Sequence, residues 1–231
     1  MKRHLKRLAL PRSITIARKT EVFIARPHPG KHKLGQGIAL VNFIRDMLHF
    51  ASTAKEVKAI LNAGDCLVDG KQIKNTNYNV GIFDVISFPK IKQSYRMTVT
   101  QKGKLHFTLL DEKEASLKVC KIIGKKTLPK GKIQLNLSDS RNILVPKDTY
   151  KVGDSILIQI PDQKIVEHFK LEKGNTIFLL GGKHIGESGE IVNIHNQEIV
   201  YKNTAGDTVE TRAYYAYVVG TKKSAITLNT K

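Results

Sequence analysis

Residues 53–88, TAKEVKAILNAGDCLVDGKQIKNTNYNVGIFDVISF, constrain the fold of this chain more than any other stretch. Thr53-x-x-Glu56 predicts a capping box, in which the hydroxyl and the carboxylate satisfy two orphan amides at a helix start. Val57, Ile60 and Leu61 then share one helical face. Gly64 stands where a left-handed cap costs least. Cys66-Leu67-Val68 reads as a short strand, and Asp69-Gly70 is a strong signal for a tight hairpin. A second apolar run, residues 82–88, closes the unit. The preceding Leu40, Val41, Ile44, Met47, Leu48 and Ala51 follow the spacing of an amphipathic helix. Two helices, a cap glycine and a small sheet are thus expected. Arg45, Lys55 and Lys58 lie opposite the apolar face, the last two at i, i+3, and Lys71 and Lys74 flank the hairpin. Such a basic face suits a phosphate backbone; the competing reading is a solvated face on a small domain.

Charge decides between the two. The chain has 231 residues, with 39 Lys+Arg against 20 Asp+Glu, a net charge of +19 that points to a polyanionic partner, nucleic acid before an anionic membrane surface. No apolar run approaches the roughly 18 residues that span a bilayer. Tryptophan is absent and aromatics make up 6%, so phosphate and shape contacts are expected to outweigh base stacking. Cys66 and Cys120 sit in apolar strand contexts and read as buried free thiols.

Residues 1–42 differ from the rest. Lys2, Arg3, Lys6, Arg7, Arg12, Arg18, Lys19, Arg26, Lys31 and Lys33 face Glu21 alone, and Pro11, Pro27 and Pro29 are three of seven prolines. Such a segment is expected to bury no core of its own and to order as a basic arm against an acidic surface. Deleting residues 2–33 is therefore expected to leave a folded protein that binds RNA far more weakly. Leu8-Ala9-Leu10 is too short for a signal-peptide core. His28 and His32 lack cysteine or carboxylate neighbours in sequence, so phosphate or base contacts are favoured over a metal.

Residues 94–171 read as many short strands separated by turn signals, and residues 172–220 as a further strand-rich unit ending in a polar tail. Within the latter, residues 181–189 form a glycine-dense loop. It is no phosphate-binding loop: Ile177 occupies the place of the first glycine and His184 that of the Ser/Thr. Ser138-Asp139-Ser140 is turn chemistry. No paired carboxylates or Cys/His arrangement suggests catalysis, and no alternation of strands with long helices suggests a nucleotide-type domain.

Two local resemblances add to this reading. Gly182-Lys-His-Ile-Gly186-Glu-Ser-Gly189-Glu-Ile191, between two strands, resembles the KOW motif of ribosomal and transcription-elongation proteins, with Gly186 matching the motif's glycine. Glu187 and Glu190 put acids beside that loop. Residues 53–88 resemble the αL RNA-binding domain of ribosomal proteins, tyrosyl-tRNA synthetases and pseudouridine synthases. The order of a basic arm with His-Leu-Lys-Arg at 4–7, then Arg26-Pro-x-Pro-Gly-Lys-His-Lys-Leu34, the αL stretch, Asp84-Val-Ile-Ser87, Tyr150-Lys-Val-Gly-Asp154 and KOW resembles, over essentially the whole chain, the small-subunit ribosomal protein family S4e of archaea and eukaryotes. Without the longer C-terminal extension of the eukaryotic members, it is most similar to the archaeal type.

The expected architecture is α+β and mostly β: an arm (1–37), an αL-type domain of helix pair and hairpin (38–92), then two small SH3/OB-like β-barrel modules (93–171 and 172–220) and a tail (221–231). The resemblance implies a structural constituent of the small ribosomal subunit, cytoplasmic, with small-subunit ribosomal RNA and neighbouring ribosomal proteins as partners and no enzyme activity, cofactor, metal, membrane or small-molecule substrate. The expected RNA contacts are the ten arm cations with His32, then Arg45, Lys55, Lys58, Lys71, Lys74, Lys183 and His184. Gly64, Gly70, Gly182, Gly186 and Gly189 are expected to be structural. The alternatives are an RNA-modifying enzyme carrying an αL domain and a KOW-type transcription or translation factor.

Overall fold

The structure, a computed structural model, describes residues 4–221 and 223–228. The chain forms two compact units, residues 1–98 with 104–115 and residues 99–103 with 116–231. This division differs from the five segments expected, because most of the 93–110 hairpin joins the helices and not the β-rich remainder.

In the first unit, β1 (Leu5–Lys6) pairs antiparallel with β2 (Phe23–Ile24). Leu10, Ile14 and Ile24 are buried. The arm thus contributes to the core of the first unit: a few apolar side chains between cations suffice when they pack on an existing surface. β3 (Gly37–Ala39) leads into a helical turn, α1 (Leu40–Asn42), that widens to a π-turn over Phe43–Met47. Leu40 and Ile44 are fully buried, as their spacing predicts. The helix expected to reach Ala51 ends earlier, where His49 turns left-handed at φ +58°.

α2 (Ala54–Ala63) starts with the predicted capping box: the Glu56 amide donates to Thr53 Oγ1 at 3.2 Å, and the Thr53 and Ser52 amides donate to Glu56 Oε2 at 3.3 and 2.8 Å. Gly64 ends it at φ +82°. β4 (Leu67–Val68) and β5 (Lys71–Gln72) form the predicted hairpin, with Asp69 and Gly70 at φ +49° and +72°, the double positive φ of a primed turn. β6 (Asn79–Gly81) pairs with β3. The run 82–88 is not one strand: Phe83 adopts φ +64°, and β7 is Val85–Phe88. That break turns the Asp84 carboxylate into the interior, where Gly81 N–H donates to it at 3.0 Å.

β8 (Gln93–Val99) and β9 (Leu105–Leu110) complete a sheet of order β5-β4-β7-β8-β9. Phe107 meets Phe43 and Tyr95 edge-on at 5.9 and 5.7 Å and ties the helical turn to this sheet. Arg96 is fully buried and ion-paired with Glu114; burial lowers its pKa, and the carboxylate opposes that.

The second unit is all β. β10 (Leu117–Thr127), β11 (Ile133–Leu137), β12 (Asn142–Val145), β13 (Ser155–Gln159) and β14 (Lys164–Phe169) form a sheet of order β12-β11-β10-β13-β14. β10 pairs first with β13 and then with β11, and the irregularity between Ile122 and Gly124 leaves Ile123 outside, 55% exposed. β15 (Thr176–Leu179), β16 (Ser188–His195), β17 (Glu198–Asn203), β18 (Thr208–Arg212) and β19 (Ala216–Gly220) form the other, of order β18-β17-β16-β15-β19. These two antiparallel sheets match the mostly-β expectation.

β19 went unpredicted; its Ala216, Val218 and Val219 are fully buried, pairing with β15 through contacts remote in sequence. The Val218 amide donates to Ser155 Oγ at 3.0 Å, joining the sheets. The expected polar tail is partly folded: Ile226 is buried, and the Ala225 amide donates to the Val219 carbonyl at 2.8 Å. Cys66 and Cys120 are buried free thiols, as expected, and burial pushes Cys66 up to about 12.

Candidate nucleic-acid interface

The structure divides the predicted cations into those used inside the protein and those offered outward. Arg7 is 4% exposed; its guanidinium donates to the Ala17 carbonyl at 2.9 Å and to the Thr20 hydroxyl, and lies 3.8 and 3.7 Å from Glu21 and Asp46. Arg18 donates to the carbonyls of Leu10 (2.8 Å) and Pro11 (3.0 Å), stapling the arm's own turn. Lys31 pairs with Asp69 and with Asp84 (2.8 Å), and His32 meets the other oxygen of Asp84 at 2.9 Å. Arg45 pairs with Asp46 through two hydrogen bonds of 3.0–3.1 Å, which raise its pKa. His184 meets Glu187 at 3.1 Å.

These placements correct part of the expected contact set. The buried Asp69 and Asp84 claim Lys31 and His32, because a buried carboxylate needs a paired cation, while Arg7 is held by the Ala17 carbonyl, the Thr20 hydroxyl and the part-buried Asp46. The acidic surface that orders the arm lies inside the first unit. Deleting residues 2–33 would strip Asp84 of Lys31 and His32 and remove Leu10, Ile14 and Ile24 from the core, so a folded remainder is no longer expected.

Lys6, Arg12, Lys19, Arg26, Lys33, Lys55, Lys58, Lys71, Lys74 and Lys183 are exposed. All but Lys183 belong to the first unit. Lys2 and Arg3 lie outside the described residues. Arg12 and Arg18 share a cleft of about 560 Å³ with Lys104, a residue the sequence reading missed. Nothing local signals it: Lys104 reaches the arm through long-range contacts such as the hydrogen bond from the Leu105 amide to the Ser13 carbonyl.

The glycine-dense loop is built by close packing. A Cβ on Gly181 would come within 2.4 Å of the Tyr215 ring, one on Gly186 within 2.5 Å of the Thr100 carbonyl, and one on Gly189 within 2.4 Å of the Lys202 carbonyl oxygen. Gly182 and Gly186 also take φ +82° and +78°. The backbone approach that these glycines permit is therefore to the chain itself. Glu187, the acid beside the loop, accepts from the Tyr201 hydroxyl at 2.8 Å and from Asn203 at 3.0 Å, leaving Lys183 at the surface. The Tyr150-Lys-Val-Gly-Asp154 motif is likewise structural: Asp154 accepts from the amides of Lys151 and Leu171 and meets His168 at 2.7 Å. Ser138-Asp139-Ser140 is a turn, with Ser140 at φ +64° and Asp139 paired with Lys118 and Arg141. Among the described residues, no group of three or more His, Cys, Asp or Glu is placed to hold a metal ion.

Comparison with known proteins follows this geometry closely. Ribosomal family S4e matches residues 91–165, and the RS4NT (NUC023) domain matches residues 1–35. The small ribosomal subunit protein eS4 of Methanocella arvoryzae is 40% identical over 232 residues, 96% of both chains. That of Methanosphaera stadtmanae is 41% identical, over 98% of this chain and 96% of its own. The chain belongs to the eS4 family of small ribosomal subunit proteins. The eS4 of Methanocaldococcus jannaschii is 38% identical over 98% of both chains. The crystal structure of 30S ribosomal protein S4e from Thermoplasma acidophilum superposes with a TM-score of 0.70 at 30% identity, covering 82% of this chain and 97% of its own. The eS4 fold is thus shared, and the resemblance drawn from the arm, the αL stretch and the KOW-like loop is borne out.

Proposed function

We propose that this chain is a structural constituent of the small ribosomal subunit, binding small-subunit ribosomal RNA and neighbouring ribosomal proteins and catalysing no reaction. It supports translation as part of the cytoplasmic ribosome. The observation that carries this reading is the sorting of basic side chains: contacts within the first unit engage Arg7, Lys31 and His32, while Lys6, Arg12, Lys19, Arg26, Lys33, Lys55, Lys58, Lys71 and Lys74 lie at its surface. Membership of the eS4 family favours it over an RNA-modifying enzyme or a transient factor. Those side chains, with Lys183, neutralise phosphates and release counterions, positioning the protein without reading sequence directly. In finer terms, the arm and αL-type region are the main RNA-gripping segments, and the β-rich modules serve as spacers that also meet protein neighbours.

The test is to purify ribosomal subunits from cells expressing the tagged full chain. The chain is expected in the small-subunit fraction at one copy per particle and to resist a moderate salt wash. Recovery with RNA polymerase, or turnover of an RNA substrate by the pure chain, overturns the reading.

A further inference from the structure

The first unit holds a cleft of about 900 Å³ between the turn 26–34 and the segment carrying Asn77 and Asn79. Its walls are joined before any ligand arrives. The His28 amide donates to the Asn77 carbonyl at 2.8 Å, and Asn79 Nδ2 donates to the His32 carbonyl at 2.7 Å. Beneath, Asp69 and Asp84 hold Lys31 and His32, and Gly81 leaves room for the His32 ring, which a Cβ would approach to 2.4 Å. Pro27, buried, and Pro29 fix the backbone on either side of His28. A ligand entering here meets a preorganised wall and orders little on binding.

The chemistry of the lining is one-sided. Arg26 and Lys33 are exposed cations at the rim, the His28 imidazole and Pro29 offer flat faces, Asn77 offers an amide, and no carboxylate lines the cleft. The two nearby acids are buried and engaged from within. Two cations, two flat ring faces and an amide capable of donating and accepting, all lining one cleft, together match a nucleotide removed from its helix, with its phosphate on the cations and its base on the rings. A duplex presents no such protruding base.

The geometry points to this cleft as the seat of a single unstacked nucleotide of the small-subunit ribosomal RNA, the base against His28 and Pro29 and the phosphate between Arg26 and Lys33. The assignment rests on the ribosomal reading above and goes beyond it: sequence composition argued that stacking is minor, whereas the fold concentrates one stacking site where the arm meets the sheet.

Binding of the full-length chain to transcribed small-subunit ribosomal RNA from Methanocella arvoryzae, measured over a salt series and with base-specific chemical probing, tests it. One unpaired base is expected to become protected. Asn77→Phe fills the cleft without changing charge; it is expected to abolish that protection and weaken binding about tenfold, with the salt dependence unchanged. Lys33→Ala is expected instead to lower the log–log salt slope by about 0.7–0.9. His28→Ala should repeat the loss of protection and serves if Asn77→Phe folds poorly. Protection and affinity that survive both substitutions overturn the cleft assignment, as does wild-type binding with no protected unpaired base. Failure of the wild-type chain to bind the RNA at all brings down the ribosomal reading itself.

Discussion

Lys121 shows how far a single residue can depart from what its letter suggests. In β10, between Cys120 and Ile122, it looks like the solvent-facing member of an alternating strand. Instead it is 7% exposed, and its ammonium donates to the carbonyls of Ala213 (2.7 Å), Tyr214 (3.0 Å) and Ala216 (2.8 Å), with the Tyr217 ring 5.4 Å away. It caps the turn that leads into β19. Burial brings its pKa down to about 8, while an unfolded lysine titrates near 10.5. Between those values the unfolded chain holds the extra proton, so folding becomes more favourable as pH rises from about 8 to 10.5. Urea unfolding across that range should show this rise in the wild type, and Lys121→Met should remove Lys121's share of it. The same substitution removes the ammonium donor from three carbonyls, of which Ala213 keeps the Ala216 amide, and is expected to cost about 1–3 kcal/mol at pH 7. Lys31 is the counterpart in the first unit: Lys31→Met leaves Asp69 and Asp84 short of a cation and is expected to destabilise by about 3–5 kcal/mol, measurable as a large fall in the urea midpoint.

Elements with capping and tight-turn signals formed where they were expected. Thr53, Glu56, Gly64 and Asp69-Gly70 act through neighbours within a few residues, so the start and end of α2 and the β4–β5 hairpin were legible from the sequence. Thr53→Ala should cost about 1 kcal/mol, seen as a shift of the unfolding midpoint with unchanged slope. The Glu56 carboxylate accepts from the Ser52 and Thr53 amides, which hold its pKa below the ordinary range; the stability it lends is present above the unfolded value and fades as pH falls through the folded one. Elements that depend on distant partners were not legible. Phe83 breaks an apolar run that reads as one strand, because Asp84 has partners at Gly81, Lys31 and His32. β19 exists because β15 offers it an edge. The arm followed the same logic: its charge count predicts ordering against an acidic surface, and three apolar side chains and an internal acid pair hold it in place. A deletion of residues 2–33 would therefore confuse lost contacts with lost folding. Replacing Lys6, Arg12 and Lys19 with Ala is the cleaner probe, expected to weaken RNA binding while leaving thermal unfolding nearly unchanged.

At the scale of the whole molecule the net charge of +19 sets the terms of partnership. Binding to ribosomal RNA should fall steeply with salt, with a log–log slope of about 0.7–0.9 for each phosphate neutralised. Converting Lys55 and Lys58 to Ala should lower that slope by about 1.5 if both contact phosphates; a slope unchanged by the double substitution would return those two residues to the solvated-face reading. By itself the sequence determined the polyanionic partner, the family, the mostly-β class, the capped helix and the tight hairpin, since composition and neighbours a few positions apart carry that information. Tertiary structure alone decided which cations remain available. Lys31 and His32 are spent on internal acids, Arg7 is held by the arm's own Ala17 and Thr20, Lys104 is carried to the arm, and the turn 26–34 closes on Asn77 to form a cleft. Each of these outcomes depends on residues brought together across the chain, where a buried carboxylate must find a cation and an unfilled amide must find a partner.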